Sequence, residues 1–207
     1  MSELFSIQLQ NRQQQGRDGV WLDLPTTTEQ VQAALRQIGI SSDNPQGLFI
    51  SGYFAEEEKR FAIPYNMVLA SNVDELNFLA ARLETLSAGE RAELNAALQA
   101  PQSELFSIGR ITDFPENVDY YVHLPDVHGP AQLGDYYLNR SGMVDMPEEW
   151  KGGIDTAQFG RYVAQQEQGV FTEYGYLVKS GDAWQKVHEG QPVPEEYRVL
   201  SFPASEI

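Results

Sequence analysis

Cysteine is absent from the 207 residues. That excludes disulfides, thiolate metal sites and a cysteine nucleophile, and it suits a reducing compartment. Bases are scarce: 14 Lys and Arg stand against 30 Asp and Glu, a formal net charge of −16. A field of that sign repels DNA and anionic membranes and steers cationic partners inward, so direct nucleic-acid binding is not expected. No stretch of about 18 apolar residues occurs, and Met1 to Arg12 lacks a basic segment followed by an apolar one. A cytoplasmic protein without a membrane span is the expectation.

Catalytic signatures are equally sparse. No Gly-x-Ser-x-Gly elbow, Gly-x-Gly-x-x-Gly fingerprint or phosphate-binding P-loop appears, and only three histidines are present. His123-x-x-Asp126-x-His128 puts two imidazoles and a carboxylate within six residues, with His188 or Asp135 as possible completing ligands. The spacing fits no zinc pattern, and Pro125, Gly129 and Pro130 make the segment a turn entering a helix. The pairs Glu148-Glu149 and Glu195-Glu196 follow prolines on surface turns, where carboxylates are solvated. No enzyme, cofactor or metal is therefore expected.

Hydrophobic residues nevertheless make up 42% of the chain and aromatics 11%, enough for a folded core. Leu4 to Leu9 alternates as a strand does, and Gly19 to Leu24 forms a second strand ended by Pro25. Thr26 with Glu29 reads as a capping box, followed by Val31, Ala34, Leu35 and Ile38 at helical spacing and Gly39 as the stop. Gly47 to Phe54 gives a third strand. Asn72 to Ala100 predicts two helices, with Leu76, Leu79, Leu83 and Leu86 on one stripe and a Ser87/Glu90 capping box opening the second. Beyond residue 119, a strand is predicted at Tyr120 to His123, with helices near Ala131 to Leu138 and Thr156 to Gln165. Phe171 to Lys179 and Ala183 to His188 read as a hairpin about Ser180-Gly181-Asp182, with Tyr197 to Phe202 as a further strand. The densely placed tyrosines of this region are expected mostly in the core, some of them at a self-complementary interface.

The predicted class is α+β: an elongated three-lobed chain of small α/β lobes around a central helical segment. Its domains are 1–67, an N-terminal α+β lobe; 68–118, a central helical lobe; and 119–207, a C-terminal α+β lobe with a closing hairpin. The three carry net charges of −3, −5 and −8, and the longest acidic run is Glu56-Glu57-Glu58. Ser-Glu-Leu-Phe-Ser-Ile occurs at Ser2 to Ile7 and again at Ser103 to Ile108; the first copy opens a strand and the second is expected to form a short helix.

Leu133-Gly-Asp-Tyr-Tyr-Leu138, Gly142-Met-Val-Asp-Met-Pro-Glu-Glu-Trp150, Ile154-Asp155 and Phe159-Gly-Arg161, taken together, resemble the most recognisable block of the ArdA antirestriction proteins. Gly19 to Pro25, the helix after it and Asn72 to Glu84 are also similar to family segments, in the same order, over about residues 18 to 176. The resemblance implies a homodimeric DNA mimic of mobile elements such as conjugative transposons. Its surface carboxylates would occupy the DNA-binding groove of a type I restriction-modification enzyme, with no catalysis. A dimer at −32 matches the phosphate charge of roughly 54 Å of duplex, about 16 base pairs. The phosphate surrogates expected are Asp74, Glu75, Glu84, Glu90 and Glu93 on the middle helices, and Asp135, Asp145, Glu148, Glu149, Asp155 and Glu167 in the C-terminal lobe. The chain departs from the family block in having Gly152-Gly153 before Ile154-Asp155 and Tyr162 after Arg161. Arg140, Lys151 and Arg161 interrupt the acidity. The alternative reading is an accessory interaction module of a mobile element that binds another basic DNA-processing protein.

Overall fold

The computed structural model describes residues 3–14, 18–57, 60–101 and 103–204. Residues 15–17 of the predicted polar loop, Glu58 of the acidic run and Ser2 of the repeated hexapeptide lie outside them. The element order is β1 (Phe5–Asn11), β2 (Val20–Leu24), α1 (Thr28–Gln37), β3 (Leu48–Phe54), α2 (Tyr65–Leu69), α3 (Val73–Glu84), α4 (Ala88–Gln99), α5 (Ile108–Thr112), β4 (Tyr121–Leu124), α6 (Pro130–Asp135), α7 (Glu148–Lys151), α8 (Thr156–Glu167), β5 (Val170–Thr172) and β6 (Gly175–Lys179). Helices and two three-stranded antiparallel sheets make the class α+β. The chain divides into two compact units. One holds residues 1–86, 105–116 and 186–207; the other holds 87–104 and 117–185. Of the segment 68–118, α3 and α5 belong to the first unit and α4 to the second.

In the first unit the sheet order is β2-β1-β3. Strict alternation along β1 buries Phe5, Ile7 and Leu9 and turns Ser6, Gln8 and Gln10 to the other face. Val31, Ala34 and Leu35 of α1 are buried, as their spacing demands. The cap of α1 sits one residue later than predicted: Thr27 and Gln30 form the capping box. Thr26 is held in the preceding extended segment, buried, with its N–H donating to Asn77 Oδ1 at 2.7 Å. At the other end of α1, Asn11 Nδ2 donates to the carbonyl of Ile38 at 3.0 Å, one of the helix-end acceptors. Helix α3 buries Leu76, Leu79 and Leu83 under a capping box of Asn72 and Glu75.

In the second unit α4 opens on the predicted Ser87/Glu90 box, and the sheet order is β4-β6-β5. Helices α6 and α8 pack closely at two glycines of the block that resembles the ArdA family. A Cβ on Gly134 would lie 1.9 Å from the Thr156 carbonyl oxygen, and one on Gly160 1.8 Å from that of Pro130. Only bare backbone permits that approach, which gives both glycines a packing reason. The chain leaves α6 through a π-helical turn, Tyr136 to Arg140. Around this pair, Val127, Leu133, Ala164 and Tyr176 form a small buried cluster.

Three sequence expectations need correction. Phe171 to Lys179 is not one strand but a tight β5–β6 hairpin that turns at Glu173 and Tyr174 and enters β6 at Gly175, φ +117°, a conformation glycine adopts without strain. Ala183 to His188 and Tyr197 to Phe202 are not strands. Their N–H groups are taken by side chains instead: Gln185 donates to Asn117 Oδ1, His188 to Asp113 Oδ1 and Val199 to Asp74 Oδ1. The second hexapeptide copy is not a helix; Leu105 and Phe106 are irregular, and Ser107 only caps α5.

Candidate functional site

The eleven carboxylates singled out in the sequence play three physical roles, and Asp155, a helix cap that is also exposed, plays two of them. The first group is committed to holding local structure. Asp74, in the first turn of α3, accepts from the N–H groups of Val199 and Leu200, each at 2.7 Å. Glu75 closes the α3 capping box through the Asn72 N–H, and Glu90 accepts from the Ser87 N–H at 2.7 Å. The Ser87 hydrogen bonds hold the Glu90 carboxyl below its ordinary range. Asp155 caps α8 by accepting from the Gln158 N–H at 3.0 Å. Of these, Glu90 alone was read from the sequence as part of a capping box; at a helix start a carboxylate also meets the positive end of the helix dipole.

A second group is partly withdrawn from solvent. Glu167 accepts from two hydroxyls, Tyr137 at 2.8 Å and Tyr176 at 2.8 Å. Burial first, and then this carboxylate, raise both phenols above their ordinary range. Glu93 on α4 is half-buried, and its Oε1 has no hydrogen-bond partner among the described residues. Burial, followed by the nearby charges of Glu90 and Asp119, pushes its pKa up to about 8. At neutral pH Glu93 is largely protonated, which removes it from a set of phosphate-like charges. Glu84 is half-buried in the last turn of α3.

The third group is displayed. Asp145, Glu148, Glu149 and Asp155 are all exposed within one short stretch around α7. Glu148 Oε2 pairs with Lys151 Nζ at 2.9 Å, a solvated ion pair that leaves the rest of the stretch negative. Asp135, by contrast, is not displayed: it lies half-buried at the end of α6, accepting from Asn139 at 2.8 Å and Arg140 at 2.9 Å. Four of the candidates are thus exposed within residues 145–155, and most of the others stand at helix ends.

His123 is engaged elsewhere: its Nε2 lies 2.7 Å from the Tyr174 carbonyl oxygen, which needs the proton on that nitrogen. His128 and Asp126 are exposed. A different cluster, Asp113, Glu116 and His188, places one ligand atom from each residue within 4.8 Å of the others. Spacing in the sequence could not reveal it, because His188 comes from a distant segment. Asp113, fully buried, accepts from the N–H groups of Val187 at 3.3 Å, His188 at 2.6 Å and Glu189 at 3.2 Å. Glu116 pairs with Arg82. The cluster works as the anchor of the C-terminal segment, which reasoning from the sequence had treated as a hairpin. The same segment continues past Phe78, whose ring packs on His188 and Tyr197, to Ser201, which accepts from Gln32.

No helix among the described residues is long and apolar enough to cross a membrane. A family model for the antirestriction protein ArdA matches residues 15–178. No curated protein matches the chain. The family match covers well over half of the sequence, including the Gly134 and Gly160 contact and the exposed acidic stretch, and the chain belongs to the ArdA antirestriction family.

Proposed function

We propose that this member of the ArdA family acts by binding: its surface carboxylates imitate DNA phosphates and occupy the basic DNA-binding groove of a type I restriction-modification enzyme. Family membership carries this reading, because it supplies the antirestriction role to which the charge is then assigned. The charge gives the mechanism. A net −16 spread over a folded surface, doubled in a homodimer, meets a groove built to hold polyanionic duplex; Lys and Arg of the groove exchange their counterions for fixed carboxylates. The displayed acids Asp145, Glu148, Glu149 and Asp155 are the leading contacts. The helix-end acids Asp74, Glu75, Glu84, Glu90, Asp135 and Glu167 contribute mainly to the summed field.

The test is a titration of the purified protein against the DNA-recognition methyltransferase core of a type I enzyme, across salt and with competing duplex DNA. Binding that weakens with salt and is displaced by duplex supports mimicry. Absence of binding at low salt overturns it and turns attention to another basic DNA-processing protein as the partner.

A further inference from the structure

The outer face of the β2-β1-β3 sheet carries an aromatic pair that a purely electrostatic mimic does not need. Trp21 is 49% exposed and Phe54 58% exposed, and their rings meet edge to face with centroids 6.4 Å apart. Strand register explains the meeting. Trp21 stands opposite Gln8, Gln8 stands opposite Gly52, and Phe54 follows two residues on, opposite Ser6. A Cβ on Gly52 would come within 3.0 Å of Trp21 Cη2, so the indole lies across bare backbone and reaches the phenyl. Asp23, exposed, is the next outward residue of β2 and accepts from Ser6 at 2.6 Å, beside the ring pair.

Charge decides what such a face receives. A polyanion is repelled by a chain of net −16. A cation is favoured both by Asp23 and by the ring faces themselves. The same face already holds one such contact: the Arg12 guanidinium sits 5.4 Å from the Phe49 ring centroid, with Phe49 opposite Gln10. We propose that Trp21 and Phe54, with Asp23 beside them, form a second contact surface that receives arginine or lysine side chains of the cationic partner. Its ring faces supply a share of affinity that depends less on salt than phosphate mimicry does. This inference rests on the antirestriction reading for the identity of the partner, not for the chemistry of the face.

The experiment compares W21A and F54A with wild type in the binding titration, each variant first checked for an unchanged fold by circular dichroism. Each should weaken binding about tenfold with the salt slope unchanged, whereas removing a displayed carboxylate lowers the slope. Wild-type binding to the core with both variants unaffected overturns the inference and leaves the antirestriction reading intact. Failure of the wild type to bind overturns that reading instead, and the face is then decided by titration with an octa-arginine peptide. A shift of the indole N–H resonance that W21A removes supports the cation surface, and no shift overturns it. Loss of self-association in W21A, seen by sedimentation, assigns the face to a second copy and also overturns the proposal.

Discussion

The two compact units carry the same formal charge and spend it differently. The first holds 17 acids and 9 bases, the second 13 and 5, so each is at −8. In the first unit, two carboxylates fasten chain segments: Asp113 takes three backbone N–H groups of the C-terminal segment and Asp74 takes two more further along it. In the second unit, Asp145, Glu148, Glu149 and Asp155 stand exposed within one short stretch, while Glu93 and Glu167 are drawn toward the interior. Net charge counted along a sequence is therefore not the charge a partner meets. An acid that accepts several N–H groups is part of the fold, and burial without a hydrogen-bond partner raises the carboxyl of Glu93.

The sharpest way to break this contrast is Asp113→Ala. It leaves three N–H groups without their acceptor in a fully buried place, and the expected loss is roughly 3–5 kcal/mol of stability, read from thermal or urea unfolding. Amide exchange at Val187 to Glu189 should rise far more than in the second unit. An unchanged melting temperature would mean that the segment is not held by this carboxylate.

Next in size is Glu167→Ala in the second unit, expected to cost about 2 kcal/mol because the hydroxyls of buried Tyr176 and half-buried Tyr137 lose their acceptor. Burial comes first among the causes that raise the two phenols, so spectrophotometric titration should show Tyr137 and Tyr176 moving only part of the way back toward the ordinary range.

Glu93→Gln should act in the opposite direction. The folded pKa lies above the ordinary carboxylate value, so the favourable protonated state is fully present below about pH 4.5 and is lost as pH rises through about 8. The variant should match wild type at pH 4.5 and be more stable at pH 8.5 by roughly 1–2 kcal/mol, a figure that allows for solvent screening at this half-buried position. Parallel stability curves across that window would contradict the neutral-acid assignment.

The smallest stability effects belong to the displayed acids. Asp145→Asn and Glu149→Gln should leave stability within about 0.5 kcal/mol of wild type while each reduces the salt slope of partner binding by about one. If they destabilise the fold as Asp113→Ala does, the distinction between fastening and displayed acids fails.

Much of this was legible locally. Alternation in Leu4 to Leu9, the leucine stripe of α3 and the Ser87/Glu90 box each encode their element through neighbours in sequence, and the resemblance in residues 133 to 161 pointed to the family. What was not legible depended on partners far along the chain. Glu93 and Glu167 look like any other surface acid until β4, β6 and the tyrosines are packed beside them, and the segment beyond Lys179 reads as strands because its acceptors, Asn117, Asp113 and Asp74, precede it by 68 to 125 residues. The Thr26 cap failed by one residue for the same reason, since Asn77 holds the Thr26 N–H.

The repeated hexapeptide separates the two kinds of information most cleanly. In both copies the leucine is buried, Leu4 at 2% exposure and Leu105 at 3%, so hydrophobicity alone settled that position. The phenylalanines part company: Phe5 is 2% exposed in a paired strand, and Phe106 is 62% exposed beneath the Arg110 guanidinium. Composition and short-range pattern determined an acidic, folded α+β protein with capped helices. Backbone conformation in a six-residue segment is worth too little free energy to fix itself, so whether it pairs as a strand or stays irregular, and whether a given carboxylate fastens the fold or faces a partner, was decided by the neighbours that tertiary packing brought to it.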